Sequence, residues 1–450
     1  MLKEVFLLDD QSRIALFAPL KGLIMEVKEG EKDKVSQLID QPHFSFGHLT
    51  NIFPEIERNR LFQEKPKDRD SPEKEGEFSP DSVVLFTTLD CNLRCIYCYS
   101  KGGEQSVNMT WQIAEKAIDF VIRNAKLKEQ EESFLEFHGG GEPTRNWSIF
   151  QSALEYFQQR AQENSLTPKV SLATNGMLST KQIDWIASRI NSVQVSLDGM
   201  EEIQNFQRPT VSGGASFAVV YNTVTSFLAK KIQVTIHCVI TERSVHRIPE
   251  IIHFFIANFP DTTIHLEPAC ECGRGLQMGQ RFPSPELFIS GFIEAEKLAE
   301  TFGVELFYSG AGPRLGEFHQ GFCGVSSPNF VVTPAGLVTA CHEVAEEKHP
   351  LANYFIYGYL DHQDTNFVFD YEKIKNLRSY TTDVNSSCKG CFAQYYCAGD
   401  CLTKSLNNNH GRKTPLLNPR CEINRALMKY YVFKKLFMNE KEDYHERTSR

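Results

Sequence analysis

Short β-rich runs alternate with amphipathic helical patterns through the middle of the chain, and this alternation restricts the fold more than any other feature. The intervening pattern TWQIAEKAIDFVIRNAK places Ile113, Ala117 and Val121 on one helical face. Strands separated by helices pair in parallel, so the sequence predicts an α/β fold built on a parallel sheet or an incomplete barrel. Six runs have the length and composition of strands: SVVLFTTL, SFLEF, KVSLAT, SVQVSL, VTIHCVIT and TIHLEP.

The alternation has clear limits along the chain. Residues 63–80 are charged, contain proline and are nearly free of apolar residues, which is typical of a linker. The patterns in residues 1–62 predict a small α+β unit, roughly a hairpin followed by helices. A later helix is well delimited, with Ser284 as its cap, Pro285 in its first turn and Gly303 at its end. Beyond residue 310 the pattern gives way to turns and cysteines.

Composition excludes several classes of protein. The net charge of -9 over 450 residues, without a long Lys/Arg cluster, argues against nucleic acid as a partner. No window reaches the roughly 18 apolar residues of a membrane span, and the N-terminus lacks a signal sequence, so we expect a cytoplasmic protein with no membrane partner. Thirteen cysteines in such a chain indicate metal or redox chemistry more than a disulfide framework.

Polar or glycine-rich segments follow five of the six predicted strands. The carboxyl ends of parallel strands share one edge, where ligands bind, so these segments are expected to converge on one site. In strand order they are CNLRCIYCYS, HGGGEPT, TNG, SLDG and, after the sixth strand, EPACECGRG.

The first of these segments holds three cysteines, Cys91, Cys95 and Cys98, with no fourth close behind. A zinc knuckle completed by a distant histidine is one interpretation. The other is a four-iron cluster whose fourth iron is left to a small chelating molecule. The spacing C-x3-C-x2-C, with the aromatic Tyr97 before the last cysteine, resembles that of the radical S-adenosylmethionine enzymes. The resemblance implies that S-adenosyl-L-methionine takes the fourth place.

The next segments carry further parts of this resemblance. HGGGEP at residues 138–143 is similar to the family's glycine-glycine-glutamate motif, and glycines there let backbone carbonyls approach an ammonium group. The family usually has a His-Asp pair shortly before an arginine that corresponds to Arg208. Gln204 and Asn205 stand in place of that pair in this sequence. The resemblance implies these S-adenosylmethionine contacts: Tyr97, Gly140, Gly141, Glu142, Asn175, Ser196, Asp198 and Arg208.

A second cysteine constellation lies near the C-terminus. Its spacing resembles the seven-cysteine SPASM extension, an auxiliary-cluster domain; a pair of zinc ribbons is the alternative. The resemblance implies three 4Fe-4S clusters in all, with Cys323, Cys341 and Cys401 on an inner auxiliary cluster and the other four cysteines on an outer one. Those four are Cys388, Cys391, Cys397 and Cys421. Cys272 either completes the inner cluster or is a bystander, and Cys238 is expected in the core.

Together these similarities span residues 82–425 and imply an incomplete (β/α)6 TIM-like barrel with a cysteine-rich C-terminal SPASM domain. The predicted domains are the unit at 1–62, the linker at 63–80, the barrel at 81–310, the SPASM domain at 311–425, and a C-terminal helix and polar tail at 426–450. The implied chemistry is hydrogen abstraction by a 5'-deoxyadenosyl radical, with flavodoxin or ferredoxin as a reductant partner.

Enzymes of this type mostly modify peptides or proteins. We therefore expect a peptide maturase that installs a thioether or C–C cross-link in a ribosomally made precursor peptide, whose leader adds as a strand to the N-terminal unit. An anaerobic sulfatase maturase is an alternative, although His342 stands where those enzymes typically carry an aspartate. A non-catalytic iron-sulfur electron carrier is another. No catalytic residue is assigned; possible proton carriers are His138, Glu267, His342 and Glu343.

Overall fold

The structure is a computed structural model of the chain. It describes residues 5–41, 44, 46–53, 67–68, 78–327, 329–361, 363, 366–382, 387–408 and 419–448. Most of the predicted linker at 63–80 lies outside these residues. Within them, no helix is both long enough and apolar enough to cross a membrane.

The strands of the described residues are numbered in chain order. They are β1 Phe6–Asp9, β2 Ile14–Ala18, β3 Leu23–Val27, β4 Lys67–Asp68, β5 Ser82–Leu85, β6 Glu132–Phe137, β7 Thr167–Thr174, β8 Ser192–Ser196, β9 Gln233–Ile240, β10 Thr263–Pro268, β11 Leu306–Phe307, β12 Glu317–Phe318, β13 Val331–Val332, β14 Leu337–Thr339, β15 Ile356–Asp361 and β16 Asn366–Phe369.

The helices follow the same convention. They are α1 Lys32–Ile39, α2 Phe46–Ile52, α3 Trp111–Leu127, α4 Trp147–Glu163, α5 Thr180–Ala187, α6 Glu201–Gln207, α7 Phe217–Ala229, α8 Ile248–Asn258, α9 Gly273–Gln277, α10 Pro285–Thr301, α11 Ala352–Phe355, α12 Tyr371–Arg378, α13 Gln394–Cys397, α14 Leu402–Asn408 and α15 Pro419–Thr448.

The six predicted strands are all present as β5 to β10, and they pair in parallel in the order of the chain. Helices connect successive strands, as parallel pairing of consecutive strands requires. The short strand β11 extends the sheet beyond β10. Among the described strands, β11 and β16 are the two edge strands of the sheet, so the sheet does not close into a ring. The predicted (β/α)6 arrangement is confirmed as an open barrel.

Local signals in the sequence explain the helices of this barrel. Ile113, Ala117 and Val121 are buried along one face of α3, as their spacing predicts. At the start of α10 the Ser284 hydroxyl accepts a hydrogen bond from the Leu287 amide at 3.3 Å. These positions follow from periodicity and capping, which depend only on nearby residues.

The other side of the sheet departs from the sequence prediction, which ended regular structure near residue 310. β13 pairs in parallel with β5, and β14, β15 and β16 continue the same sheet as antiparallel strands. These strands have two to six residues. Such short runs carry too little periodicity to be read from the sequence, and pairing with an existing sheet edge stabilises them.

The N-terminal region forms an antiparallel sheet of β1, β2 and β3, where the sequence predicted a hairpin. The second apolar stretch contains two strands because Gly22, at φ +60°, turns the chain between them. One hydrophobic core joins this sheet to α1 and α2. β1 and β3 each pair only with β2 among the described strands, so the sheet has two edges.

The chain divides into two compact units. One consists of residues 73–308 and 323–379 and contains the barrel sheet; the other consists of residues 1–72, 309–322 and 380–450. Within the second unit, Phe17 of β2 stacks on Tyr396 with ring centroids 6.0 Å apart, and Phe6 contacts Phe392 at 6.4 Å. α15 also packs against β2 and β3. The N-terminal sheet and the C-terminal cysteine segment therefore share one core.

Candidate active site

The three cysteines of the first loop lie together beyond the carboxyl end of β5. Cys91, Cys95 and Cys98 are all free thiols. Each sulfur lies near a polar group that can donate a hydrogen bond. Asn175 Nδ2 lies 3.7 Å from the Cys91 sulfur. Arg208 Nη1 lies 3.9 Å from the Cys95 sulfur, and Ser100 Oγ lies 3.3 Å from the Cys98 sulfur.

Burial disfavours the charged form of two of these sulfurs. It raises the pKa of Cys91 to about 11 and that of Cys95 to about 12. A thiolate in such surroundings needs a compensating positive charge, which bound metal supplies. Three neighbouring, partly buried thiols with adjacent donors therefore fit an iron-sulfur cluster, since cluster sulfurs also accept hydrogen bonds.

The glycine segment after β6 lies directly against the cysteine loop. The Ser100 hydroxyl donates to the Gly140 carbonyl at 2.7 Å, and the Gly141 amide donates to the Thr88 carbonyl at 3.1 Å. A Cβ atom on Gly141 would overlap the backbone carbonyl of Asp90. Glycine is required here because two backbone segments approach closely, and the two loops form one structure.

Glu142 is buried, and its carboxylate is surrounded by donors of the protein. It accepts hydrogen bonds from the Thr144 and Thr174 hydroxyls at 2.7 and 2.9 Å and from the Asn175 amide at 2.7 Å. Burial raises the pKa of Glu142, and these hydrogen bonds act in the opposite direction. The carboxylate therefore ties the end of β6 to the end of β7, a positioning role that the motif alone did not reveal.

Two further predicted contacts lie at the ends of neighbouring strands. The Asn175 side chain donates to Asn92 Oδ1 at 2.8 Å and accepts from the Met177 amide at 2.9 Å, so it links β7 to the cysteine loop. Ser196 ends β8 and pairs in register with His237 of β9. The structure thus brings both residues to the strand edge that carries the cysteines.

Asp198 is the centre of a buried polar network. Its carboxylate pairs with Arg208 Nε at 3.0 Å and accepts hydrogen bonds from Gln207 Nε2 at 2.8 Å, from the Val239 amide at 3.0 Å and from the Tyr97 hydroxyl. The Arg208 guanidinium also lies over the Tyr97 ring, 5.2 Å from its centroid. Three predicted contacts therefore form one cluster in which Asp198 orients the other two.

Gln204 and Asn205, which depart from the family pattern, have defined structural roles. Gln204 is fully buried and accepts a hydrogen bond from the Asp198 amide at 2.9 Å. Asn205 Oδ1 accepts from the amides of Ser216 and Phe217 at 2.9 and 2.8 Å. Their side-chain amides satisfy backbone donors around the Asp198 network, so these substitutions are accommodated within the fold.

Sequence reasoning missed Arg274, in the segment after β10. Its guanidinium donates to the Cys95 carbonyl at 3.1 Å and to the Gly102 carbonyl at 2.9 Å, while its amide donates to the Cys98 carbonyl at 2.8 Å. This arginine therefore supports the backbone of the cysteine loop. Its position in a glycine-rich segment at the carboxyl end of a strand is the sequence feature that could have identified it.

Cys272 forms a disulfide with Cys270 in the same segment. A disulfide sulfur is not a free thiolate, so Cys272 does not act as a cluster ligand in this structure. Of the two alternatives drawn from the sequence, this arrangement favours the bystander. Cys238 is buried in β9, where the sequence placed it in the core.

The barrel interior carries several ionisable side chains. The rings of His138 and His342 lie 4.4 Å apart, and Glu136, which the sequence did not single out, completes a group with them. His265 Nε2 lies 3.1 Å from Glu267 Oε1. Burial lowers the pKa of His138. Two predicted proton carriers, His138 and His342, thus meet, whereas Glu267 pairs with a different histidine.

Four of the C-terminal cysteines are close enough to interact electrostatically. Burial raises the pKa of Cys388 to about 12, and Cys391 and Cys421 contribute to that shift. Cys397 is buried near Cys388 and Cys391. These four cysteines are the set that the sequence assigned to an outer cluster. Of the predicted inner set, Cys323 and Cys341 belong to the barrel unit and Cys401 to the other.

Comparison with known proteins identifies the family. Residues 85–255 match the sequence model of the Radical SAM superfamily. Residues 85–255 therefore form a Radical SAM domain within the chain. The matched residues contain the cysteine loop, the glycine segment and the Asp198 network, so the radical SAM domain includes every predicted S-adenosylmethionine contact.

The radical SAM chain also resembles individual proteins. It is 25% identical over 177 residues to an uncharacterized protein of Methanocaldococcus jannaschii, covering 39% of this chain and 58% of that protein. It is 25% identical over 176 residues to a cysteine-type anaerobic sulfatase-maturating enzyme of Clostridium perfringens, covering 38% and 47%. An enzyme of the same name from Clostridium novyi is 23% identical over 333 residues, covering 71% of this chain and 87% of that protein. The chain spans about half the length of the curated relatives that it matches first.

Solved structures share the fold. The structure described as anSMEcpe with bound AdoMet aligns with a TM-score of 0.65 at 20% identity, covering 81% of this chain and 96% of that one. Streptococcus suis SuiB bound to the precursor peptide SuiA aligns with a TM-score of 0.51 at 16% identity, covering 92% and 97%. The fold of the radical SAM chain is therefore similar to both, and the SuiB alignment extends over more of it.

Proposed function

We propose that the chain is a radical S-adenosylmethionine peptide maturase that installs a thioether or C–C cross-link, or a related oxidative modification, in a ribosomally made precursor peptide. The observation that carries this proposal is the group of three free thiols, Cys91, Cys95 and Cys98, packed against the glycine segment inside the matched domain. When bound, the cluster and S-adenosylmethionine supply a 5'-deoxyadenosyl radical, which abstracts hydrogen from the peptide.

The Asp198 network supports a site for the methionyl end of S-adenosylmethionine. Asp198 holds the Nε side of Arg208, and Arg208 Nη1 lies 3.9 Å from the Cys95 sulfur. A guanidinium fixed beside the cluster cysteines is suited to bind a carboxylate. Ser196 and Asn175, at adjacent strand ends, are the proposed contacts to the ribose. The chain's own contribution is to orient this cofactor.

The C-terminal cysteines support an outer auxiliary cluster. The four cysteines of the outer set lie near one another within one compact unit. The chain from Cys397 to Cys401 turns sharply there, with positive φ angles of +49° at Ala398 and +60° at Asp400. Non-glycine residues in this conformation are uncommon and concentrate at functional sites. We therefore assign a SPASM-type role to this region, within the domain boundaries proposed from the sequence.

Cluster content provides a direct prediction. Three clusters of four irons each require about twelve irons per anaerobically reconstituted chain. The variant Cys388→Ala should retain about eight, because it removes one ligand of the outer cluster, while Cys238→Ala should retain the full content. Iron and sulfide analysis with Mössbauer spectroscopy measures both. About four irons in the wild-type chain, or zinc at the C-terminal cysteines, would contradict the assignment.

The N-terminal sheet favours a precursor peptide as the substrate. The alignment with SuiB, whose structure contains a precursor peptide, covers 92% of the chain, against 81% for anSMEcpe. Among the described strands β1 and β3 each pair only with β2, so each leaves an edge to which an extended leader can add as a further strand. We propose that residues 1–62 bind the leader in this way.

Strand addition can be tested by hydrogen-deuterium exchange in the full-length protein. On adding a precursor peptide encoded beside the gene, the amides of one edge strand, Phe6–Asp9 or Leu23–Val27, should exchange more slowly, while those of Ile14–Ala18 should not change. The same peptide without its leader is the control and should protect neither edge. Unchanged exchange at both edges with a peptide that is nevertheless modified would exclude this binding mode.

The full-length protein is preferable to a truncated one for this purpose. Phe6 and Phe17 contact aromatic residues of the C-terminal cysteine segment in the same unit. Removing residues 1–62 would therefore expose that segment's core, and a loss of activity would not distinguish leader binding from instability.

A sulfatase maturase is the second candidate. The higher TM-score of 0.65 with anSMEcpe and the 71% coverage of this chain by the Clostridium novyi relative favour it. The two candidates differ in their products. With a flavodoxin or ferredoxin as reductant, mass spectrometry should show loss of two hydrogens from the precursor peptide and no formylglycine in a sulfatase-derived peptide. Formylglycine in the sulfatase peptide would favour the second candidate, and an absence of 5'-deoxyadenosine would favour an electron carrier.

A further inference from the structure

Three potential metal ligands meet inside the barrel, apart from any cysteine cluster. Glu136 and His138 are two residues apart, and the alternation of side chains along an extended chain places them on the same face. His342 follows β14 in the chain and reaches the same place. One carboxylate oxygen and one nitrogen from each imidazole all lie within 4.8 Å of one another.

The two imidazoles are held by packing. The Phe86 ring lies beside both, with centroids 6.1 Å from His138 and 5.8 Å from His342. The Nδ1 atom of His138 is enclosed and has no hydrogen-bond partner among the described residues. An enclosed ring nitrogen without a partner is unfavourable, by about 1–3 kcal/mol, and is rare in folded proteins. A metal ion bound through Nδ1 would give this atom a partner.

We propose that Glu136, His138 and His342 bind a divalent transition metal ion of the zinc class. Two imidazoles and one carboxylate form the donor set of catalytic zinc sites, in which three protein ligands leave a further coordination position open. Nitrogen and oxygen donors of this kind differ from the thiolates that hold iron-sulfur clusters. None of the three donors is one of the ten predicted cluster cysteines, although His342 directly follows Cys341 in the chain. The site does not depend on the proposed peptide reaction.

Another histidine-carboxylate pair in the barrel shows why this group stands out. His265 Nε2 lies 3.1 Å from Glu267 Oε1, and its ring stacks on Phe307 with centroids 4.3 Å apart. That imidazole therefore has a protein partner. With three protein ligands, a metal ion in the proposed site would keep a coordination position for a thiolate or carbonyl oxygen of a substrate, which it would polarise as a Lewis acid.

The full-length protein with its clusters loaded provides the test. After equilibration with zinc sulfate and removal of loosely bound metal, elemental mass spectrometry should find about one zinc per chain. X-ray absorption at the zinc edge should then show bonds of about 2.0–2.1 Å to nitrogen and oxygen, not the roughly 2.3 Å of zinc-sulfur bonds. Zinc binding should weaken at least about 10-fold in each of the variants Glu136→Gln, His138→Gln and His342→Gln. Even residues that only hydrogen-bond to a metal ligand contribute that much to metal affinity.

His265→Gln is the matched control, because it removes an imidazole of the same barrel outside the group; its zinc content should be unchanged. Iron content and circular dichroism identify any variant that has lost its clusters or its fold. The X-ray absorption spectrum of the wild-type protein tests the identity of the zinc ligands without the variants. No bound zinc, sulfur-only coordination, or zinc retained by folded His138→Gln and His342→Gln variants would each overturn the proposal.

Discussion

Replacing Cys91, Cys95 or Cys98 with alanine should abolish reductive cleavage of S-adenosylmethionine while leaving the fold largely intact. Each substitution removes one of three thiolates that hold the cluster, and a cluster with two protein ligands is not retained. The loss of a single sulfur from a loop should cost only about 1 kcal/mol of stability. Release of 5'-deoxyadenosine from reduced protein measures the first effect, and circular dichroism with thermal unfolding measures the second.

Cys238→Ala is the matched control for these variants. It removes a buried thiol of the same barrel that belongs to none of the three predicted cluster sets, so cleavage should persist. Retained cleavage in the triple variant Cys91→Ala, Cys95→Ala and Cys98→Ala would refute both the cluster assignment and the proposed function.

Asp198→Asn should reduce the free energy of unfolding by about 3–5 kcal/mol and weaken S-adenosylmethionine binding. Asp198 is fully buried and Arg208 nearly so, and their side chains meet at 3.0 Å. Neutralising the carboxylate leaves a buried guanidinium without its counter-charge, which is among the most costly single changes in a protein. It also removes the group that orients Arg208 beside the cysteine loop. Chemical denaturation and equilibrium binding measure the two effects.

An exposed ion pair in the same barrel provides the comparison. Arg247 Nη1 and Glu202 Oε1 are 2.8 Å apart, but the Glu202 side chain is 61% exposed. Solvent screens such pairs, so Glu202→Gln should cost no more than about 1 kcal/mol. Equal, small losses for Asp198→Asn and Glu202→Gln would show that Arg208 finds another partner and that Asp198 does not organise the pocket.

The sequence was sufficient for features that depend on neighbouring residues. The six parallel strands, the buried face of α3 and the cap at Ser284 follow from periodicity and hydrogen bonding within a few positions. The convergence of the cysteine loop and the glycine segment was also predictable, because the carboxyl ends of parallel strands share one edge. The loop's function was accessible through its cysteine spacing.

Several properties of the site depended on contacts that no local pattern encodes. The motif placed Glu142 next to the cofactor, but its hydrogen bonds to Thr174 and Asn175 arise only when β6 and β7 pair. Arg274 supports the cysteine loop from about 180 positions away in the chain. The sequence likewise left Cys272 as a possible ligand, whereas the fold joins it to Cys270.

By itself, then, the sequence determined the barrel's strands and helices, the positions of its cysteines and its resemblance to a family of radical enzymes. Only the tertiary structure decided that Asp198 orients Arg208 and Tyr97, that His138 meets His342, and that the N-terminal sheet shares a core with the C-terminal cysteine segment. The physical reason is that periodicity and capping act over a few residues, whereas burial and ion pairing depend on which distant segments pack together.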